Sequence, residues 1–460
     1  MLKKKIILTS LVIAALSLFS ACGGEEKVSD TAVNTENAKV EEVAEKAEPT
    51  QIAEAAKTER KEKWEKDIDN LAGQLNAYIN KFSDADPLLK SAEFEENLQS
   101  EIQRLKSDLA EVDDFEIEKR IQMITALFND GHMVTDFMYS DYYENIIPLQ
   151  FNAFGEGIYC TIVYDNAYKS ALNCRLEAVN GKPVSDIFEE FSKLFGGDNI
   201  YNSAQWFGRR INCPAVLKAI GIIEDFEDSF VYTLTDLGGN AFDITVDTRI
   251  PYDKRPDEIY ERAEGGNAYY ESREESIWTE YIEADQIFYI RMRMIPDSKT
   301  LNIVEETLEK AREANDIKKI IVDLRDCEGG QVTSIQHSLF AESLKSFGQD
   351  TGQLYVITNY ATFSMGATTA MYLKNEANAT VVGLPAGGGK PYVGNPKAVK
   401  LSATGFSVEL PTINNYANGA VDNSIAAENY ILMPDIEAGI TIEDYVNKQD
   451  SVLEIIKNLP

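Results

Sequence analysis

The sequence predicts an α/β protein with an N-terminal helical part, a small β-rich middle domain and a C-terminal α/β domain. Three patterns predict this organisation. Apolar residues recur at helical spacing up to about residue 128, β-rich runs separated by turns follow over 145–250, and short strands alternate with helices from residue 285. Such alternation is typical of a largely parallel sheet covered by helices. Hydrophobic residues make up 44% of the chain, which is enough for a sizeable core.

The first element is an export signal. Lys3–Lys5 form a basic segment, and residues 6–21 form an apolar segment that is short for a membrane span, which needs roughly 20 residues. The stretch Phe19–Gly23 resembles a bacterial lipobox, which implies that Cys22 is lipidated and becomes the mature N-terminus. We therefore expect a signal peptide over 1–21 and an extracytoplasmic protein anchored to the bacterial cell membrane by a lipid. An ordinary secretory signal with a chance cysteine is the alternative.

Residues 22–58 are predicted to form a flexible acidic tether, because they are rich in Glu, Ala, Lys and Thr and contain no aromatic residue. Over the whole chain, 76 acidic residues outnumber 44 basic ones, and the net charge is −32. This charge argues against nucleic acid as a partner, since binding to phosphates requires a basic face.

The region 59–144 is predicted to be helical. Its first helix carries one apolar face, formed by Trp64, Ile68, Leu71, Leu75 and Tyr78. A second helix is expected over about 92–110, and a third ends at Asn129-Asp130-Gly131, where glycine suits the left-handed helix cap. His132 then lies on the exit loop. The chain has two histidines, so a histidine-dependent mechanism must use His132 or His337.

A β-rich middle domain is predicted over 145–284. Its segment Arg175–Val184 has the pattern of a strand, an Asn-Gly turn and a helix start, and resembles the end of a PDZ-like peptide-binding module. The part from about 250 to 284 is polar and rich in Tyr, and is expected to be irregular.

The C-terminal domain, 285–460, contains two strand-to-helix turns that carry chemistry. The first runs from Asp323 to Gly330, where glycines allow the backbone to approach a ligand closely. The second places Ser364 at a helix N-terminus, where free N–H groups favour developing negative charge. Acyl transfer needs a hydroxyl nucleophile and two N–H donors for the oxyanion, which Ser364 with the amides of Met365 and Gly329 can supply. An ordinary helix cap is the alternative role for Ser364.

Several motifs in order resemble one family. They are Asp-Leu-Arg-x-x-x-Gly-Gly at 323–330, Thr-Phe-Ser at 362–364, Val382–Lys390, the ending Glu428-Asn429-Tyr430 with Met433–Glu437, and upstream Trp64–Ile68, Glu93-Phe94 and Leu127–His132. This set, over about 60–455, resembles the serine peptidases that include the tail-specific (C-terminal-processing) proteases and the tricorn core, in particular their histidine-using branch. The resemblance implies a crotonase/Clp-like α/β fold for the C-terminal domain and Ser364 as the nucleophile.

The same resemblance offers two bases for Ser364. The tail-specific branch uses a lysine downstream, which Lys390 matches, whereas the tricorn-like branch uses a histidine oriented by a late carboxylate, which His132 and Glu428 match, with Asp422 a rival for the carboxylate. Neutral imidazole is a ready base at pH 7, whereas Lys390 beside three glycines is expected to be exposed and charged, so we favour His132. The tricorn pattern has a serine before its histidine, and Gly131 stands there.

Neither a metal nor another cofactor is predicted, because no His or carboxylate cluster has metal-ligand spacing. Export permits disulfides, but isolated buried thiols are the favoured interpretation of Cys160, Cys174, Cys213 and Cys327. His337, inside a predicted helix, is expected to serve packing or to be solvated.

These features favour an exported, lipid-anchored serine endopeptidase that acts on peptides or unfolded proteins through an acyl-enzyme at Ser364. The alternatives are a Ser364–Lys390 dyad protease, a catalytically silent peptide-binding lipoprotein with the same fold, and a solute-binding lipoprotein, which leaves the Ser364 turn unexplained.

Overall fold

The computed structural model describes residues 49–135, 137, 145–226, 228–251, 261–262, 275–331, 338–390, 393–414 and 431–460. Residues 53–460 belong to one compact unit. The predicted signal peptide, Cys22 and most of the tether lie outside the described residues. In the part of the chain that is described, no helix has both the length and the apolar character needed to cross a membrane.

Three helices form the N-terminal part: α1 (Pro49–Phe82), α2 (Ala92–Asp108) and α3 (Asp114–Ala126). The predicted apolar face of α1 is buried, as are its counterparts on α2 and α3. The tether prediction is wrong for 49–58, which is the first part of α1. Ala, Glu and Lys favour a helix once one is nucleated, and this stretch extends a helix that the ion pair between Arg60 and Asp114 (2.6 Å) ties to the start of α3.

The helix cap after α3 differs from the prediction. Asn129, with φ 47°, takes the left-handed conformation that was assigned to Gly131. Glycine is needed at 131 for a different reason: a Cβ there would lie 2.7 Å from Asn202 Oδ1 and 2.9 Å from Phe363 Cζ. A serine at this position would require the side chains of Asn202 and Phe363 to move.

The middle region is built on an antiparallel sheet with the strand order β2-β3-β4-β6-β7. The strands of this sheet are β2 (Leu149–Phe154), β3 (Gly157–Val163), β4 (Arg175–Val179), β6 (Phe230–Thr235) and β7 (Ala241–Val246), with β5 (Lys182–Pro183) paired to β4 and β9 (Glu261–Arg262) paired to β3. A separate two-stranded sheet pairs β1 (Asn145–Ile146) with β8 (Ile250–Pro251). The predicted Asn-Gly turn joins β4 to β5, with both of its residues at positive φ.

Three helices lie between β5 and β6. The sequence predicts mainly strands here, so not all of these helices were expected. They are α4 (Val184–Leu194), α5 (Ile200–Arg210) and α6 (Pro214–Ala219). The loop between α4 and α5 reaches the candidate active site.

The C-terminal domain contains a six-stranded sheet in the order β10-β11-β12-β13-β14-β17, parallel except for the edge strand β10. These strands are β10 (Ile277–Ile282), β11 (Ile287–Met292), β12 (Lys319–Asp323), β13 (Leu354–Thr358), β14 (Thr380–Gly383) and β17 (Ile436–Glu437), and the helices are α7 (Ser298–Ala314), α8 (Leu339–Thr351), α9 (Met365–Ala377), α10 (Ile442–Val446) and α11 (Ser451–Asn458). Hydrophobic cores lie on both faces of the sheet. The predicted α/β fold is confirmed.

One part of this domain corrects the prediction. The strand β10 lies within the segment that was expected to be irregular, and it is held by Trp278, which is buried against Tyr289 at 5.0 Å between ring centroids. The polar residues around it obscured the strand, because only one face of an edge strand needs to be apolar.

A hairpin of β15 (Val393–Lys400) and β16 (Ser407–Asn414) connects the C-terminal domain to the N-terminal helices. Glu409 N donates to Val134 O (2.7 Å), just after His132 in the chain. At the hairpin tip, the buried carboxylate of Asp67 on α1 accepts hydrogen bonds from Ala403 N and Thr404 N. The Glu409 contact holds the loop that carries His132 against the hairpin, whereas the Asp67 contacts hold the tip of the hairpin against α1.

All four cysteines predicted to be isolated thiols are free and buried: Cys160, Cys174, Cys213 and Cys327. Burial raises the pKa of the Cys327 thiol to about 12, which keeps it protonated and unreactive.

Candidate active site

Ser364 stands at the N-terminal end of α9, in a conformation that sets it apart from a helix cap. Its φ of 52° and ψ of −124° are unusual for a residue with a side chain, and its hydroxyl makes no capping hydrogen bond. Strain of this kind costs about 1–3 kcal/mol and is typical of functional sites. The backbone is held in place from behind, because Ser364 N donates to Gly388 O (2.9 Å). The hydroxyl is therefore directed away from the helix and is available to another group.

That group is His132. Its Nε2 lies 2.9 Å from Ser364 Oγ, although the two residues are 232 positions apart in the chain. The imidazole is buried, and the ring of Phe363 contacts it at 4.7 Å between centroids. The structure thus brings together the two residues that the sequence predicts as nucleophile and base.

A carboxylate binds the other nitrogen of the imidazole, and it belongs to Asp130. Asp130 Oδ1 lies 2.9 Å from His132 Nδ1 and also accepts the backbone N–H of His132 (3.0 Å). Its Oδ2 accepts the hydroxyl of Tyr78 on α1 (2.9 Å). Both carboxylate oxygens are thereby fixed, and Nδ1 is held as the protonated nitrogen, so that Nε2 faces Ser364 with its lone pair.

Burial and the neighbouring charges shift the pKa values of Asp130, His132 and Tyr78. Burial opposes the charge of Asp130, but the hydrogen bond and charge of His132, with the charge of Lys390, lower the pKa of Asp130 to about 2. Burial likewise opposes a charge on His132, yet Asp130 and Asp198 together raise the pKa of His132 above its ordinary value. Burial and the charge of Asp130 hold the pKa of Tyr78 well above its usual range, so Tyr78 is a neutral donor. The site stabilises an imidazolium once a proton arrives.

The predicted oxyanion residues both lie next to Ser364. Met365 follows Ser364 directly, and a Cβ on Gly329, which has φ 131°, would lie 3.2 Å from Ser364 Oγ and 3.5 Å from Met365 N. Only glycine fits here, both for its φ and for its closeness to Ser364. The backbone of the Gly329 turn therefore lies directly beside the nucleophile, where an oxyanion donor is expected.

Buried ion pairs stabilise the turn at 323–330. Arg325 binds Asp323 on its own turn and Asp450, whose Oδ2 lies 2.8 Å from Nη2. All three side chains are buried. Asp323 and Arg325 thus shape the turn, as the sequence reading favours, and do not face Ser364.

Lys390 corrects a prediction. It is 5% exposed, and its Nζ donates to Asp86 Oδ2 (2.9 Å) and to Phe128 O (2.9 Å). The flanking glycines do not expose it; they let the loop turn inward so that the side chain reaches a buried carboxylate. Its ammonium group is engaged in the N-terminal helical part, and the nitrogen bound to Ser364 Oγ is that of His132.

Three other sequence candidates lie outside the described residues: Glu428, Asp422 and His337. The assignment of Glu428 as the orienting carboxylate therefore stays a prediction, while Asp130 occupies that place in the geometry. The signal for Asp130 was present in the sequence, because an Asp two residues before a His can bond both its backbone and its ring.

The side-chain ligand atoms of Asp130, His132 and Asp198 lie within 4.8 Å of one another, so this trio is where a metal ion would be held. Sequence spacing did not reveal the group, because Asp198 comes from the loop between α4 and α5. The carboxylate oxygens of the trio already accept hydrogen bonds: Asp130 accepts from Tyr78 and His132, and Asp198 accepts from the backbone of Gly131 and Lys390. These contacts suit proton transfer better than metal ligation.

One cleft contains Ser364, and a second cleft lies next to it. One, of about 530 Å³, is lined by His132, Ser364, Gly330 and the hairpin residues Asn395, Pro396 and Ile413. The other, of about 560 Å³, lies between α5 and the C-terminal domain and is lined by Trp206, Arg209 and Tyr360. Glu328 lines both and forms an ion pair with Arg209. The arrangement places a serine hydroxyl, an imidazole in contact with it and a helix N-terminus beside a cleft.

The C-terminal domain matches a known family of peptidases. Residues 286–437 match the family model of peptidase family S41. The match includes Ser364, whereas His132 and Asp130 lie outside it. Among curated proteins, no match was found.

Solved structures provide a comparison of the fold. The crystal structure of mature CPAF is 13% identical, with 86% of this chain and 97% of that chain covered and a TM-score of 0.51. The photosystem II D1 C-terminal processing protease is 11% identical (81% and 95% covered, TM-score 0.34), and the tricorn protease is 16% identical (82% and 35% covered, TM-score 0.34). The first of these shows a shared fold that extends well beyond the family match.

Proposed function

We propose that this chain, a serine peptidase whose residues 286–437 belong to peptidase family S41, is an endopeptidase that works through an acyl-enzyme at Ser364 with His132 as its general base. The observation that carries the proposal is the distance of 2.9 Å between Ser364 Oγ and His132 Nε2. The predicted resemblance to the tail-specific and tricorn-core proteases is confirmed at the level of this family. Asp130 takes the orienting role in the proposal.

In the acylation step, Ser364 Oγ attacks the carbonyl carbon of the scissile bond while its proton passes to His132 Nε2. Asp130 stabilises the imidazolium that forms, and the amides of Gly329 and Met365 donate to the oxyanion. Collapse of the tetrahedral intermediate breaks the C–N bond, and His132 returns the proton to the leaving amine. A water molecule, deprotonated by His132, then releases the acid product and restores Ser364.

The substrate class in this proposal is peptides or unfolded proteins. The cleft that contains Ser364 and the neighbouring cleft share Glu328, and this adjoining pair suits a chain in an extended conformation. Export and a lipid anchor at Cys22 are supported by the basic and apolar segments before that residue and by the lipobox resemblance.

A fluorophosphonate probe tests the assignment of the nucleophile. We expect the purified protein to form one covalent adduct, located on the peptide that contains Ser364 by mass spectrometry after digestion. The probe reacts only with a hydroxyl that a base has activated, so denatured protein serves as the control and should remain unmodified. An adduct on a different serine, or none on the folded protein, would reject the proposal.

Replacing Asp130 with Asn is expected to lower kcat by about 10⁴-fold, since the amide cannot stabilise the imidazolium and can hold the wrong tautomer. Steady-state hydrolysis of a quenched fluorescent peptide measures the loss. Tyr78→Phe is the companion variant, because it removes one donor to Asp130 without changing the charge, and a fall of about 10-fold or less is expected. If Asp130→Asn retained full activity, the orienting carboxylate would have to be another residue.

A further inference from the structure

The loop between α4 and α5 places a second carboxylate at the active site. Asp198 Oδ1 accepts the backbone N–H of Gly131 (2.7 Å), and its Oδ2 accepts the backbone N–H of Lys390 (2.6 Å). The first bond reaches the loop that carries His132, and the second reaches the glycine-rich loop 385–390. One side chain from the middle region thus joins two loops that come from opposite ends of the chain.

The glycine-rich loop packs directly against the backbone of Ser364. Gly388 O accepts the backbone N–H of Ser364, and a Cβ on Gly389 would lie 2.5 Å from Ser364 N. Gly388 itself is pressed against the loop of Asp198, because a Cβ there would lie 2.8 Å from Asp198 Cβ. Contact therefore runs without a gap from Ser364, through this loop and Asp198, to the loop of His132.

The neighbouring residue strengthens this connection. Asn199 Nδ2 donates to Ala386 O (3.2 Å), and its Oδ1 caps α5 by accepting Tyr201 N and Asn202 N. On the other side, a Cβ on Gly196 would lie 2.1 Å from Ala126 O, so the loop lies directly against the end of α3. The loop is fixed at both ends, which is what a positioning element requires.

The loops packed against Asp198 each place a titratable or charged group near its carboxylate. Asp130 and His132 lie on one side, and Lys390, which is paired with Asp86, lies on the other. Burial of its carboxylate and the charge of Asp130 raise the pKa of Asp198 to about 6, while His132 and Lys390 oppose this rise. The ionised Asp198 in turn contributes to the raised pKa of His132.

We propose that Asp198 is a positioning residue of the peptidase: its carboxylate holds the His132 loop against the loop behind Ser364 and so sets the distance between base and nucleophile. This inference rests on the proposed function and adds to it. Asp198 touches neither the hydroxyl nor the substrate cleft; it acts through Gly131 and Lys390.

The variant Asp198→Asn tests the proposal. An amide can accept one of the two N–H groups, but its own NH₂ then faces the other, so one bond is lost. We expect fluorophosphonate labelling of Ser364 to slow by about 10- to 100-fold, because small misplacements of catalytic groups have effects of this size. The pH profile of labelling should also change: without the charge of Asp198 the pKa of His132 falls, so the acid limb moves to lower pH.

Asp67→Asn is the matched control. Asp67 is also a buried carboxylate that accepts two backbone N–H groups from a distant loop, at Ala403 (3.0 Å) and Thr404 (2.7 Å). Both variants are compared at a temperature where thermal melts show them folded. A labelling rate no slower than that of Asp67→Asn, or an acid limb that stays in place, would overturn the proposal.

If Asp198→Asn does not fold, Asp198→Glu replaces it. This variant keeps the charge and lengthens the side chain by one methylene, so labelling should slow while the acid limb stays in place. Labelling at the wild-type rate would overturn the inference. Failure of the proposed function is distinguishable, because the wild-type protein would then not be labelled at Ser364 at all.

Discussion

Replacing Ser364 with Ala is expected to reduce kcat for peptide hydrolysis by about 10⁶-fold, the loss that follows removal of a serine nucleophile from such a site. The substitution removes the atom that forms the acyl bond, and neither His132 nor the N–H donors can compensate for it. Stability should change little, because the hydroxyl makes no capping hydrogen bond and alanine meets the same strain at φ 52°. Hydrolysis of a quenched fluorescent peptide, followed beside a thermal melt, measures both quantities.

Ser338 offers a matched control for this variant. It also stands at the N-terminus of a helix, α8, but there its hydroxyl accepts Ala341 N (3.1 Å) as an ordinary cap. Ser338→Ala is expected to lose about 1 kcal/mol of stability and to keep its activity. The two serines thus separate the roles of cap and nucleophile. Residual hydrolysis by Ser364→Ala above about one thousandth of the wild-type rate would mean that another group attacks the substrate.

The parts of the fold that could be predicted are those in which one repeated pattern decides the structure. The apolar face of α1 was predicted from its spacing, since a helix must bury one stripe. The alternation of strands and helices from residue 285 predicted the parallel sheet for the same reason. The helices α4 to α6 were not all predicted, because short buried helices within a sheet share the composition of strands.

The active site was predictable where one chain segment carries the signal, and not where distant segments meet. Ser364 and His132 each follow a recognisable turn, and both were identified. Asp198 was not, because its role exists only once the middle region is packed between two loops. Lys390 was misjudged for a related reason: local glycines suggested exposure, whereas the partner that buries it, Asp86, lies 304 residues away.

His132→Ala is expected to lower kcat by about 10⁶-fold, as much as the loss of the nucleophile, because the two residues act as one unit. The competing variant removes the lysine. Lys390→Met alone would leave Asp86 charged and buried without the lysine, at a cost of about 3–5 kcal/mol. Lys390→Met is therefore combined with Asp86→Asn, which removes both charges. The asparagine keeps the side-chain oxygen that accepts Leu88 N. This double variant should retain activity within about tenfold of the wild type.

The comparison decides between the two bases because each variant is corrected for its own stability. Thermal melts give the folded fraction, and kcat is compared among folded molecules only. If the double variant were inactive while His132→Ala remained active, the lysine would be the base and the 2.9 Å contact of His132 with Ser364 would be structural. The geometry favours the opposite result, since the Lys390 ammonium group binds Asp86 and the carbonyl of Phe128, and the nitrogen bound to the serine hydroxyl belongs to the imidazole.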